Sequence, residues 1–96
     1  MMDKRIITLI LKENKLRLAS KYHLTSIGLF GSFTRDDYRD DSDIDILIEY
    51  ERPMGIEFID LAIELESLLK RPVDLVSRNG IKPKYFKEIQ KDLIYV

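Results

Sequence analysis

Residues 29–53 read LFGSFTRDDYRDDSDIDILIEYERP, and the second half of this stretch alternates with a period of two. Asp43, Asp45, Leu47 and Glu49 share one face of a strand, while Ile44, Ile46, Ile48 and Tyr50 share the other. Just upstream, Leu24–Phe30 (LTSIGLF) is a short apolar run that reads as a second strand and stops at Gly31. Between the two, Ser32 is placed to cap a short helical turn, and RDDYRDDS is a charged loop. Two strands joined by a turn and a polar excursion make the centre of a small sheet.

The flanks supply its covering. Residues 3–22 are rich in helix formers, with apolar positions at Ile7, Leu11, Leu18 and Tyr22, and predict a helix interrupted near Asn14. Pro53-Met54-Gly55 ends the alternating strand. Residues 56–70 then repeat at helical period through Phe58, Leu61, Ala62, Leu65, Leu68 and Leu69. After Arg71-Pro72 come a short strand over Val73–Ser77 and a turn at Asn79-Gly80. Pro83 opens a last helix to about Lys91, and Leu93–Val96 forms a final short strand. This order predicts an α/β (α+β) fold: a small sheet flanked by helices, in one domain over residues 1–96.

Bulk properties narrow the function classes. A chain of 96 residues has room for one thin core and a shallow site. With 45% hydrophobic residues it escapes wholesale disorder, and a net charge of −1 argues against a general nucleic-acid binder. There is no cysteine, so neither a disulfide framework nor a thiolate metal site is available, which fits a reducing cytoplasm. The apolar run Ile6–Leu11 is broken by Thr8 and is too short for a signal peptide or a membrane span. The expectation is a soluble, cytoplasmic protein.

Chemistry concentrates in the quoted stretch. Aspartates at i and i+2 of one strand project from the same face, so Asp43 and Asp45 can reach one or two cations together. All-oxygen donors of this kind suit Mg²⁺, which takes the rest of its shell from water and substrate phosphates. Asp74 is a carboxylate inside an apolar strand, and it would join them if that strand lies alongside. Gly31 lets the backbone approach a phosphate closely, and Ser32 adds a hydroxyl donor. Each piece has an ordinary reading. Gly-Ser is usually a turn, and a strand opening Asp-x-Asp can simply end in solvent. Together, four fixed positions at this spacing arise by chance in roughly one sequence of this length in a thousand.

In this combination the stretch resembles the signature of the nucleotidyltransferase superfamily, of the DNA polymerase beta-like kind, in its minimal (MNT) form. The likeness continues through the helix at 56–70, the segment RPVDLVS and the tail. It implies a small mixed sheet with flanking helices. It also implies Gly31 and Ser32 for the triphosphate of ATP, with Arg35 a further phosphate contact. Asp43, Asp45 and Asp74 would be the metal-holding carboxylates, for two Mg²⁺ ions, and Asp43 and Asp45 the catalytic pair. The family often has Ala-Arg-Gly after Gly-Ser-x, whereas Thr34-Arg35-Asp36 keeps only the arginine. The charge of Asp36 is expected to weaken nucleotide binding.

Small members of this group are commonly type VII-like antitoxins. The resemblance implies transfer of AMP from ATP to a tyrosine of a partner HEPN-domain ribonuclease toxin, in a hetero-oligomer. In 96 residues there is no room for the added helical domain that larger relatives use to hold base and acceptor. The alternative is an inert antitoxin that neutralises its partner by binding alone; transfer to a small molecule or a nucleic acid is a third reading. Other residues have plainer expectations. His23 follows a helix and is solvated or capping. Arg35 is about as well suited to an exposed salt bridge with Asp36 or Asp40 as to phosphate. Asp36, Asp37, Asp40 and Asp41 read as a solvated loop. Glu49 lies too deep or too far along its strand to join the site, and Tyr85, Phe86, Ile89 and Leu93 read as core, with a partner-binding face as the alternative.

Overall fold

The computed structural model describes residues 2–96. Helix α1 (Lys4–Tyr22) begins where the Asp3 side chain accepts a hydrogen bond from the Ile6 N–H at 3.0 Å. It ends at His23, whose left-handed backbone (φ 57°) returns its N–H to the Ala19 carbonyl, so the lone histidine is a C-cap. The helix is unbroken at Asn14, contrary to the sequence expectation, because the Asn14 amide bonds back to the Ile10 carbonyl at 2.8 Å and leaves the helical ladder intact.

Strand β1 (Leu24–Phe30) leads into the short helix α2 (Ser32–Arg35), and β2 (Ile44–Tyr50) follows the polar loop. Helix α3 (Glu57–Leu69) carries the chain to β3 (Val73–Ser77), which is parallel to β2; such a pairing needs a crossover of this length. A 3₁₀ turn (Arg78–Gly80), α4 (Pro83–Gln90) with proline in its first turn, and β4 (Ile94–Tyr95) complete the chain. The sheet order is β3-β2-β1-β4, with β1 antiparallel to both β2 and β4. The mixed sheet flanked by helices is therefore as expected. Asp43 falls just outside β2, one residue before its first ladder position.

Register sorts the two faces. Ile27 pairs with Ile48 and Leu29 with Ile46, so these four, with Ile44, form the inner face. Against it lie Ile7, Leu11, Leu18 and Tyr22 of α1 and Leu61, Leu65 and Leu69 of α3, all buried. The helical spacing of α3 places leucines four apart on one stripe. The other face holds Gly28, Phe30, Asp45 and Leu47, and Leu93 closes over Gly28 so tightly that a Cβ there would sit 2.7 Å from Leu93 Cδ1. Helix α4 contributes no buried residue: Tyr85 is exposed and Phe86 is half-buried beneath the Arg78 guanidinium at 3.8 Å. Its aromatics are thus not core, because this helix lies on the thinly covered side. Among the described residues, no helix is long and apolar enough to cross a membrane.

The two covering helices are tied by one carboxylate. Glu64 accepts from the Tyr22 hydroxyl at 2.6 Å, from Arg17, and from Lys21 at 3.2 Å. These donors, Tyr22 first, hold its pKa down from the ordinary 4.5 to about 2. A depressed acid contributes stability that is present above pH 4.5 and lost as pH falls toward 2. Glu64→Gln is therefore expected to lower the melting temperature at pH 7. The gap to the wild type should close between pH 4.5 and 2, as followed by circular dichroism melts.

Candidate active site

Gly31 is the hinge between β1 and α2. Its backbone (φ 82°, ψ −152°) lies in a region open essentially to glycine alone. A Cβ built there would stand 2.0 Å from Asp45 Oδ2, inside bonding range of a second residue. The β1–β2 ladder explains the proximity. Phe30 pairs with Asp45, so the aspartate projects at the end of β1 where the chain turns away. Gly31, not Ser32, is the N-cap of α2, and no side chain caps that turn. Ser32 becomes the first helical residue, and Thr34 Oγ1 bonds to the Gly31 carbonyl at 2.8 Å instead.

Beside β2, the parallel register sets Asp74 directly opposite Asp45, which is the adjacency the sequence reading required. Asp43 is exposed at the strand entrance, and Asp74 is exposed as well. Among the described residues, no three carboxylates or histidines are gathered closely enough to hold a metal ion as they stand. Asp43, Asp45 and Asp74 nonetheless lie at one end of the β2–β3 pair. Their influence is felt at Asp45, the half-buried member, whose pKa is pushed up from 3.8 to about 6. Burial is the main cause, followed by the charges of Asp74 and Asp43, with Arg35 opposing and Asp92 adding. A cation fits such a site. The donors are all oxygens, and a positive charge there would relieve the repulsion that lifts Asp45.

A groove of about 270 Å³ opens at this end, lined by Gly31, Arg35, Asp45, Glu88, Ile89 and Asp92 among others. Asp92 and Glu88 come from the C-terminal region and carried no signal in the sequence reading. Arg35 does not pair with Asp36 or Asp40 as expected; it bonds to Asp37 at 3.0 Å and to Asp92 at 2.8 Å. Asp36 takes the left-handed C-cap of α2 (φ 63°), a conformation that favours glycine. Its carboxylate turns to Lys4 at 3.1 Å, whose ammonium also reaches the Thr34 carbonyl. The charge expected to trouble the phosphate loop is therefore matched by a cation on α1.

The acidic loop is anchored rather than free. Arg71 donates to the carbonyls of Ser42 (2.8 Å), Arg39 (2.7 Å) and Asp40 (2.6 Å), and its guanidinium lies 5.1 Å from the Phe33 ring centre. Phe33 in turn stacks on Tyr38, centroids 4.3 Å apart. The loop so held delivers Asp43 to the mouth of β2. Glu49 lies at the far end of that strand, opposite Ser26, away from the groove.

With the glycine hinge, the acidic strand and the groove in one place, comparison with known proteins is decisive. The profile of the nucleotidyltransferase domain family matches residues 11–96. The chain belongs to the nucleotidyltransferase domain family. A Methanocaldococcus jannaschii protein, provisionally named a protein adenylyltransferase, is 46% identical over 89 residues, which span 91% of each chain. The protein adenylyltransferase MntA of Thermococcus cleftensis is 38% identical over 88 residues, 91% of this chain and 89% of its own. Among solved structures, a toxin–antitoxin complex with AMP-PNP contains a chain that is 25% identical and superimposes with a TM-score of 0.73 over 88% of this chain and 70% of that one. The protein is thus a nucleotidyltransferase, and its sheet and helices have the fold that goes with that enzyme class.

Two substitutions test the geometry. Gly31→Ala forces a side chain into the Asp45 carboxylate and a strained backbone; it is expected to cost at least about 1–3 kcal/mol in urea unfolding and to abolish nucleotidyl transfer. Asp45→Asn removes a charge that the fold disfavours. A raised carboxyl pKa gives stability that is present below pH 3.8 and lost as pH rises through about 6. The Asn variant should therefore melt above the wild type at pH 7.5 and close to it near pH 3.8, while losing activity.

Proposed function

We propose that the chain is a Mg²⁺-dependent protein adenylyltransferase that moves AMP from ATP to a tyrosine hydroxyl of a HEPN-type ribonuclease and so silences it. It would be the antitoxin half of a toxin–antitoxin pair. The observation that carries the reading is the Asp45 carboxylate pressed against Gly31 at the groove, with Asp74 in register beside it. Relatives named protein adenylyltransferases support a protein acceptor, and the toxin–antitoxin complex with AMP-PNP supports an adenine nucleotide and a partner. Another fold neighbour is an MNT antitoxin bound to a tri-AMPylated HEPN toxin of Shewanella oneidensis.

In this reading Gly31, lacking a side chain, lets the triphosphate approach closely, Ser32 meets it with its hydroxyl, and Arg35 offers a guanidinium to the same oxygens. Asp43, Asp45 and Asp74 would hold the magnesium. When bound, the metal would neutralise the leaving pyrophosphate and help to orient the attacking hydroxyl. The tyrosine oxygen forms a bond to the α-phosphorus, and the bond from that phosphorus to the oxygen bridging it to the β-phosphate breaks. Pyrophosphate departs with that electron pair, and the hydroxyl proton passes to a carboxylate lining the groove.

The test uses α-labelled ATP, Mg²⁺ and the HEPN partner. Label is expected on a tyrosine of the partner, with loss of ribonuclease activity. Asp43→Ala/Asp45→Ala should cut labelling by about a hundredfold or more. If no label reaches the partner while the double variant still neutralises it, the protein acts by binding alone and the enzymatic reading is wrong.

A further inference from the structure

The carboxylate of Asp92 takes part in none of the steps described above, yet it is the acid in the groove that bonds both the Gly31 backbone and the Arg35 side chain. Its Oδ1 accepts the Gly31 N–H at 3.1 Å, and its Oδ2 accepts from Arg35 Nη1 at 2.8 Å. Its side chain is only 16% exposed, against 59% for Asp37, the other partner of Arg35. The Asp37 pair is therefore the solvated one, and the Asp92 pair is the one that fixes the guanidinium. The Gly31 backbone lies in a region open essentially to glycine alone; its carbonyl is bonded by Thr34 and Arg35 of α2, and its N–H by Asp92. Asp45 lies against its Cα side and Asp92 grips its N–H, so the hinge is held from two directions.

The fold supplies Asp92 by strand register. Gly28 pairs with Tyr95 and Leu29 with Ile94 in the antiparallel β1–β4 ladder. Two steps further along the same register, Asp92 comes opposite Gly31. The tail is locked in that register by the Val96 N–H on the Ile27 carbonyl at 2.9 Å, by Lys15 Nζ on the Val96 carbonyl at 2.8 Å, and by Leu93 packed over Gly28. A short C-terminal strand thus does little for the core, since Ile94 and Tyr95 are both exposed, but it delivers one carboxylate to the hinge.

We infer that Asp92 is a positioning residue for nucleotidyl transfer: it fixes the Gly31 hinge and aims the Arg35 guanidinium into the groove where the nucleotide phosphates lie. This rests on the adenylyltransferase reading above. Asp92 does not touch the reacting atoms. It acts through Gly31 and Arg35.

The test compares Asp92→Ala and Asp92→Asn with the wild type in the whole chain. Asn keeps an acceptor for the Gly31 N–H but loses the charge against Arg35. Binding of Mg-AMP-PNP, measured by calorimetry, is expected to weaken by about tenfold or more in Asp92→Ala and by less in Asp92→Asn. In the nucleotide-free protein, hydrogen exchange at the Gly31 amide should speed up in Asp92→Ala and remain slow in Asp92→Asn. A merely structural residue would not give this split between the two variants. If Asp92→Ala binds the nucleotide as tightly as the wild type, or more tightly, Asp92 is a bystander or a competitor for the phosphate donors, and the inference is overturned alone. If the wild type itself binds no Mg-AMP-PNP, the adenylyltransferase reading fails first and takes this inference with it.

Discussion

Everything at the groove depends on a backbone with no side chain meeting a carboxylate. The Asp45 oxygen occupies the space where any Cβ on Gly31 would lie, 2.0 Å away, and the glycine adopts a conformation that other residues avoid. Both strands must be in place for this contact to form. β1 has to end at Phe30 for the chain to turn, and β2 has to present Asp45 opposite that residue. The thirteen residues between Gly31 and Asp45 then have a physical purpose. They leave the sheet through α2, stack Phe33 on Tyr38, and return under the Arg71 guanidinium with Asp43 at the strand entrance. A shorter connection would form a tight hairpin and lose the second aspartate's approach.

The same contact sets the electrostatic character of the site. A chain with a net charge of −1 gathers Asp43, Asp45, Asp74, Glu88 and Asp92 around one end of its sheet, with Arg35 the cation lining the groove. Such a concentration is unfavourable to folding, and it adds to burial, the main cause, in raising the pKa of Asp45. Stability is provided elsewhere, on the opposite face, where α1 and α3 bury the isoleucines of the sheet and share Glu64 between Tyr22, Arg17 and Lys21. One face holds the fold and the other holds repelling charge.

What could be read from the chain alone follows from which interactions are local. The strand from Asp43 onward was legible because alternation is a local property, and α1 and α3 because their buried positions recur at helical spacing. All four apolar positions foreseen on α1 are buried. The Gly31-Ser32 and Asp43-x-Asp45 pattern was legible because its spacing is fixed by one loop. Asp74 required a guess that its strand lies beside β2, and the register bears that guess out. Asp92 could not be found this way. Its position depends on the antiparallel pairing of a two-residue strand with β1, sixty-one residues apart in the bond to Gly31, and nothing in the sequence DLIYV specifies that neighbour. One partner of Arg35 was missed for the same reason: the local loop supplies Asp37 in place of Asp36 or Asp40, but the fold alone brings Asp92. Ser32 was misassigned as a cap by propensity; the left-handed demands of the hinge placed glycine there instead.

The open face also bears on how such a site could select its acceptor. A groove of about 270 Å³ falls at or below the range of roughly 300–1,000 Å³ that encloses a small-molecule ligand. It leaves little enclosure for a base and ribose, since the wall that α4 supplies is limited to Glu88 and Ile89 and no residue of that helix is fully buried. In the proposed reaction, enclosure and acceptor then arrive together. A partner docking over this face would supply both the missing wall and the hydroxyl, and water would be excluded from the α-phosphate only once that partner is in place. In the assembled pair, hydrolysis of the nucleotide would be suppressed for the same physical reason that transfer to the partner is favoured. Specificity in such an arrangement resides less in the carboxylates, which are generic to phosphoryl chemistry, than in the shape of the face beside them.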